Sequence, residues 1–62
     1  YSSVVSIKNI RCGERFTEDN IWVKRPGIGD FLAEQYKDVL GQIATRDIQE
    51  DEHLSYGDVG EP

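Results

Sequence analysis

The sequence predicts a small, mainly β domain of short strands and helical turns, built on an internal repeat. Three observations carry this. The apolar residues fall in short clusters bounded by turn-forming residues, as in Val4-Val5-Ile7 and Ile21-Trp22-Val23. Only one segment, from about Phe31 to Leu40, shows helical spacing. Finally, residues 9–21 can be laid over residues 47–59 at an offset of 38, sharing the pattern [ND]-I-x-x-[GD]-E-x-[FL]-[ST]-x-x-[ND]-[IV].

Each half of the repeat reads as a strand end, a tight turn, a short strand and a second turn opened by a hydroxyl residue. Gly13 and Asp51 occupy a position suited to positive φ, which Gly tolerates best and Asp better than most. Thr17 and Ser55 can cap a short helical turn through a side-chain oxygen. Ile10, Phe16 and Ile21 are expected to point inward, with Ile48, Leu54 and Val59 as their counterparts. Val4, Val5 and Ile7 open the chain as a strand, with residues 42–45 its counterpart. Residues 21–24 form another strand, stopped at Arg25-Pro26-Gly27, because proline holds Arg25 extended and donates no N–H. The helix expected over 31–40 takes Asp30 as N-cap and Gly41 as its C′ stop. Glu34 suits its positive start, and Leu32, Tyr36, Val39 and Leu40 share a face.

Composition narrows the function. The 62 residues form a single domain, too short to bury more than about 60% of the unfolded chain's surface. Cys12 is the lone cysteine, so no internal disulfide forms, and a free thiol fits a reducing, cytoplasmic setting. Cys12 and His53 are the only soft ligands, too few for a zinc site. Twelve acidic residues against seven basic give a net charge of −5, which argues against nucleic acid as partner. No apolar run approaches the roughly 20 residues of a membrane span. The first residues lack the features of a signal peptide and there is no initiator Met. The chain is expected to be a fragment of a longer protein, with a flexible tail at 60–62.

The string Trp22-Val23-Lys24-Arg25-Pro26-Gly27-Ile28-Gly29-Asp30-Phe31 resembles the signature loop of the C-terminal domain of bacterial sialic acid (N-acetylneuraminate) synthases. Flanking stretches agree, V-V-S-I-K-N-I-R-C-G-E before it and Y-K-D-V-L-G-Q-I-A-T-R-D-I after it. The resemblance runs from about Val4 to Val59. It extends more distantly to type III antifreeze proteins and other antifreeze-like (SAF) domains. It implies a pretzel-like β-clip fold with an internal pseudo-two-fold. It also implies a parent enzyme condensing phosphoenolpyruvate with N-acetylmannosamine, releasing phosphate. Chemistry and a divalent metal, Mn or Mg, would belong to an N-terminal TIM barrel absent from this sequence. In the family this domain lies over the barrel of the partner subunit in a domain-swapped homodimer. The isolated domain is therefore expected to be inactive, with no catalytic residue and no metal or cofactor of its own.

Carried over residue by residue, the resemblance makes Arg25 the contact to N-acetylmannosamine, with Pro26, Gly27, Gly29, Asp30 and Phe31 supporting its loop. A planar guanidinium with five fixed donors suits an acetamido carbonyl or a sugar hydroxyl. Lys24 should face the other way on an extended strand and act as a solvated charge or salt-bridge partner. Trp22 should share the face of Lys24 and serve as a core or interface anchor. Asp30 reads as the helix cap. Cys12 has no base nearby, and His53, among Glu50, Asp51 and Glu52, reads as part of a solvated acidic turn.

The leading expectation is a substrate-positioning lid. An ice-binding protein is the main rival, against which 31% charged residues argue, since they leave little room for a flat, weakly polar face. Thermal hysteresis of the isolated domain separates the two. A standalone interaction module is a third reading, in which the K-R-P-G-x-G-D-F loop would have no purpose. Among synthases, legionaminic and pseudaminic acid enzymes carry similar loops; the G-D-F continuation favours the sialic acid branch.

Overall fold

Of 33 backbone–backbone hydrogen bonds, only 11 lie within helices and strands, so the fold is held chiefly by the way its turns and crossings meet. The computed structural model describes residues 1–62. Strand β1 (Ser3–Ser6) pairs antiparallel with β2 (Ile21–Lys24), Val4 opposite Val23 and Ser6 opposite Ile21. After a loop, a 3₁₀ turn at Ala33–Gln35 runs into the one-turn helix α1 (Tyr36–Val39). Strand β3 (Ile43–Ala44) pairs antiparallel with β4 (Val59–Gly60), which follows a second 3₁₀ turn at Tyr56–Asp58.

The two halves are related bond for bond. Ile10 and Ile48, mates in the repeat, face each other, and each N–H donates to the other's carbonyl at 2.7 Å. Beside them Cys12 N donates to Asp47 Oδ1 at 2.8 Å, while Glu50 N donates to Asn9 Oδ1 at 2.9 Å. The [ND] of the shared pattern is thus the side chain each half lends to the other. The conserved-in-pattern Glu closes each tight turn: Arg11 N reaches Glu14 and Gln49 N reaches Glu52. Gly13 and Asp51 both carry positive φ, 86° and 68°, and are equivalent in space as in sequence. Gly13 N then donates to Ala44 O, and Asp51 N to Ser6 O. The correspondence continues past residues 9–21 and 47–59 into the expected counterpart strands, since β1–β2 and β3–β4 are also mates: Ser6 opposes Ile21 as Ala44 opposes Val59.

The core lies along this axis. Val4, Ile10, Phe16, Ile21, Val39, Ala44, Ile48 and Leu54 form one buried cluster, with Val23, Phe31, Tyr36, Leu40 and Val59 packed around it. Val39 is the contribution of α1. Gly41, just beyond it with φ 88°, ends the helix, and its N–H is accepted by Phe16 O at 2.9 Å.

Three expectations are corrected. The helical segment is 33–39, not 31–40. Phe31 and Leu32 are recruited by the edge of β1 instead: Phe31 O accepts Val4 N at 2.8 Å and Leu32 bridges Ser3. Asp30 therefore cannot cap the helix. Its carboxylate accepts Tyr56 N at 2.9 Å, and the start of the helical segment is closed by Gln35 Oε1 on Leu32 N. Gly60, assigned to the 60–62 tail, is held in β4 opposite Ile43.

The repeat is broken in one informative place. In the first half, buried Asn20 accepts Thr17 N with its oxygen and donates its amide to Arg15 O at 2.9 Å and toward Glu14. Its mate Asp58 accepts Ser55 N in the same way but has no hydrogen to donate. Arg46 supplies the missing donors, bonding Asp58 and, at 3.1 Å, Glu52, the mate of Glu14. The Asp58 side chain is only 9% exposed, so this partner matters more than the surface pair Lys24–Asp51. Arg46 is held firmly charged by Asp58 and then Glu52. Glu52 is held below the ordinary glutamate range, first by the Gln49 N–H and then by Arg46.

Arg46→Ala should destabilise by about 1–2 kcal/mol in urea unfolding, because it leaves a buried carboxylate short of a partner. Adding Asp58→Asn should recover part of that loss by restoring the amide used in the first half. A double variant no better than the single would refute this account. Because the Glu52 value is lowered on folding, its contribution is present above the unfolded value. It should be lost as pH falls from about 4.3 downward through the folded value, and Glu52→Gln should flatten that part of the stability–pH curve.

Candidate functional site

The loop from Arg25 to Phe31 leaves the end of β2 and docks on the second half of the repeat. Its tip is a tight turn in which Ile28 N donates to Pro26 O at 2.9 Å, and the Arg25–Pro26 peptide is cis. Arg25 is exposed and makes no hydrogen bond or ion pair within the chain. Its neighbour Lys24 is paired with Asp51, as a salt-bridge partner should be. Of two adjacent cations, one is used internally and the other is left free.

The rest of the loop is pinned residue by residue. Gly29 N donates to Ser3 Oγ at 3.0 Å, and a Cβ there would stand 2.9 Å from Leu54 O, 3.0 Å from His53 Cβ and 3.1 Å from Ser3 Oγ. Only glycine fits so close to a backbone carbonyl. Asp30 is fixed at both ends, its N–H donating to Leu54 O at 3.0 Å and its carboxylate accepting Tyr56 N. Phe31 packs edge-on against Tyr56, ring centroids 5.0 Å apart. Gly27 lies under Tyr1, whose Cβ would be 2.9 Å from an added Cβ. G-D-F is thus an anchor on residues 53–56, and Arg25-Pro26 is the part it holds out.

Trp22 does share the outer face of Lys24, but it is not a core residue; it is 55% exposed and rests edge-on against Tyr36 at 5.2 Å. Burial first, and the Glu18 carboxylate second, push the Tyr36 phenol above its ordinary value. Cys12 is exposed, its thiol directed at Thr45 O, with no base beside it. His53 departs from the expectation of a solvated turn: it is half-buried, and its Nδ1 is hydrogen-bonded to Ser3 Oγ. Neither Ser3 nor His53 stood out in the sequence as partners of the loop. The available signal was the repeat, in which the bridges Val5–His53 and Ile43–Arg15 are mates. The domain encloses no pocket, and no group of three or more His, Cys, Asp or Glu side chains is arranged to hold a metal.

The model of the SAF domain matches residues 1–60. The chain belongs to the SAF domain family. It is 46% identical over 50 residues to N,N'-diacetyllegionaminic acid synthase of Campylobacter jejuni, a match covering 81% of this chain and 15% of that enzyme. Its SAF fold is also that of the flagellar protein FlgA from Thermotoga maritima, with a TM-score of 0.86 at 23% identity over 98% of this chain and 25% of that one. This SAF domain spans about a seventh of the synthase and a quarter of the flagellar protein. No helix is long and apolar enough to cross a membrane.

Gly29→Ala should cost about 1–3 kcal/mol in thermal or urea unfolding, since the added methyl meets a carbonyl and two side chains. Gly57→Ala, with nothing within 4 Å of its added Cβ, should be close to neutral. Equal losses at the two positions would show that the anchor does not depend on close approach.

Proposed function

We propose that this SAF domain belongs to a synthase of the sialic and legionaminic acid type. In that reading it presents Arg25 to the acetamido sugar bound in a catalytic domain elsewhere in the protein. The observation that carries it is the contrast within the loop: every polar group from Gly29 to Phe31 that docks is satisfied internally, while Arg25 is exposed and unpaired. A charged side chain held out on an anchored turn, on a domain with no pocket of its own, suits a ligand held by another domain. The similarity to a legionaminic acid synthase supports the class of parent enzyme.

The reaction is condensation of phosphoenolpyruvate with an N-acetylated amino sugar, releasing phosphate. N-acetylmannosamine is the acceptor for a sialic acid product, and a diacetamido sugar for a diacetylated legionaminic acid. In this reading the divalent metal belongs to the catalytic barrel. The domain contributes orientation and exclusion of water, capping the barrel of the partner subunit in a homodimer. It supplies no acid, base or nucleophile.

In the full-length enzyme Arg25→Ala should lower kcat/KM for the amino sugar at least about ten-fold, roughly 1.4 kcal/mol of transition-state binding, with a smaller effect on phosphoenolpyruvate. Arg25→Lys should not restore it, because an ammonium lacks the planar fork. The melting temperature should not move, as Arg25 has no internal partner. Unchanged kinetics would mean that the domain serves assembly, and the assignment of Arg25 would fall.

A further inference from the structure

We propose that Ser3 and His53 are positioning residues that set the Arg25 loop through a two-step relay, from the His53 imidazole to the Ser3 hydroxyl to the Gly29 N–H. As a statement about substrate binding this rests on the reading of Arg25 above; as a statement about the loop it stands on geometry alone.

Ser3 Oγ is fully buried and touches two polar groups, Gly29 N and His53 Nδ1. An N–H can only donate, so Ser3 Oγ accepts from Gly29, which has no other partner for its N–H. The serine hydrogen must then go to His53 Nδ1, because burial leaves it no water, and a buried hydroxyl without an acceptor is costly. No buried side-chain polar atom in this domain is unsatisfied, in accord with that assignment. His53 Nδ1 is consequently assigned as the acceptor, which places the ring hydrogen on Nε2.

The relay reaches the loop at the residue where the anchor is tightest. Gly29 lies against Leu54 O, His53 Cβ and Ser3 Oγ together, so moving Ser3 or His53 moves the floor beneath it. Asp30 has its own bonds to Leu54 and Tyr56, which hold the far side of the anchor. The relay therefore governs the side of the loop that faces Arg25. The charged groups around His53 are already engaged: Asp51 by Lys24, Glu52 by Arg46, and Asp30 by the Tyr56 N–H, while β1 brings none. His53 thus has Ser3 as its partner, and an acceptor at the Nδ1 position is what the relay requires.

Amide exchange followed by NMR in the 62-residue chain tests the relay directly. Ser3→Ala and His53→Leu should each speed exchange at Gly29 at least about ten-fold while Ile48, at the centre of the fold, is unchanged. His53→Asn, whose side-chain oxygen falls near the Nδ1 position, should keep Gly29 protected, and the wild-type imidazole should show ¹⁵N shifts of an Nε2–H tautomer. An unaltered Gly29, an equal rise at Ile48, an Nδ1–H tautomer, or a His53→Asn as poor as His53→Leu would each overturn the proposal. In the full-length enzyme Ser3→Ala should raise KM for the amino sugar about three- to ten-fold with little change in kcat. If Arg25→Ala is impaired and Ser3→Ala is not, the relay has no role in binding. If Arg25→Ala is itself unimpaired, the functional reading fails while the exchange result still decides the relay.

Discussion

Two hydrogen bonds between Ile10 and Ile48 sit where the halves of the chain cross, and the rest of the domain is arranged around them. Each half brings one short strand pair, which alone would leave most of its apolar side chains wet. Crossing the halves places Ile10, Phe16 and Ile21 against Ile48, Leu54 and Val39, and Asn9 and Asp47 close the polar backbone on either side. A chain of this size with one cysteine has no covalent staple, so the exchange of bonds between halves takes that place. Any change that spoils the crossing spoils both halves at once.

The symmetry also explains what the linker is free to do. The same carbonyl in each half, Phe16 O and Leu54 O, needs a donor from outside the repeat, and the linker provides both, from Gly41 and Asp30. Near Gly41 the linker is a helix whose Val39 enters the core. Near Asp30 it is a loop whose anchor faces the second half and whose tip faces out. Structural demand is met by residues 29–31 and 39–41, which leaves 25–28 available for a role outside the fold.

Much of this was legible in the sequence, for a definite reason. The repeat pattern encodes turns, and turns depend on residue type: glycine or aspartate at positive φ, a carboxylate closing the turn, an Asn or Asp to reach the partner half. The inward set from Ile10 to Leu54 and the two-fold arrangement follow from it, whereas the SAF fold was implied by the resemblance carried by residues 22–31. The helix start and the role of Asp30 were misread because capping was judged locally. The β1 edge and the Tyr56 N–H compete for the same residues from far along the chain. The Ser3–His53 bond, fifty positions apart in sequence, has no local signature at all.

The place where the repeat departs from itself shows how far symmetry was retained. Asn20 and Asp58 fill equivalent buried positions, yet one is an amide and the other a carboxyl group without a hydrogen-bearing nitrogen. The amide satisfies its neighbours unaided, whereas the carboxylate needs Arg46, which stands where the first half has Lys8, and the same guanidinium reaches Glu52. Glu52 in turn closes the turn that holds Asp51 at positive φ and leads directly into His53 and Leu54, the floor of the Arg25 loop. The ion-paired version of the turn is therefore the one beneath the loop, and the version closed by an amide is the one away from it. An ion-paired floor resists local opening only while its partners keep their charge. Arg46 and Glu52 thus brace the segment under the loop without touching it.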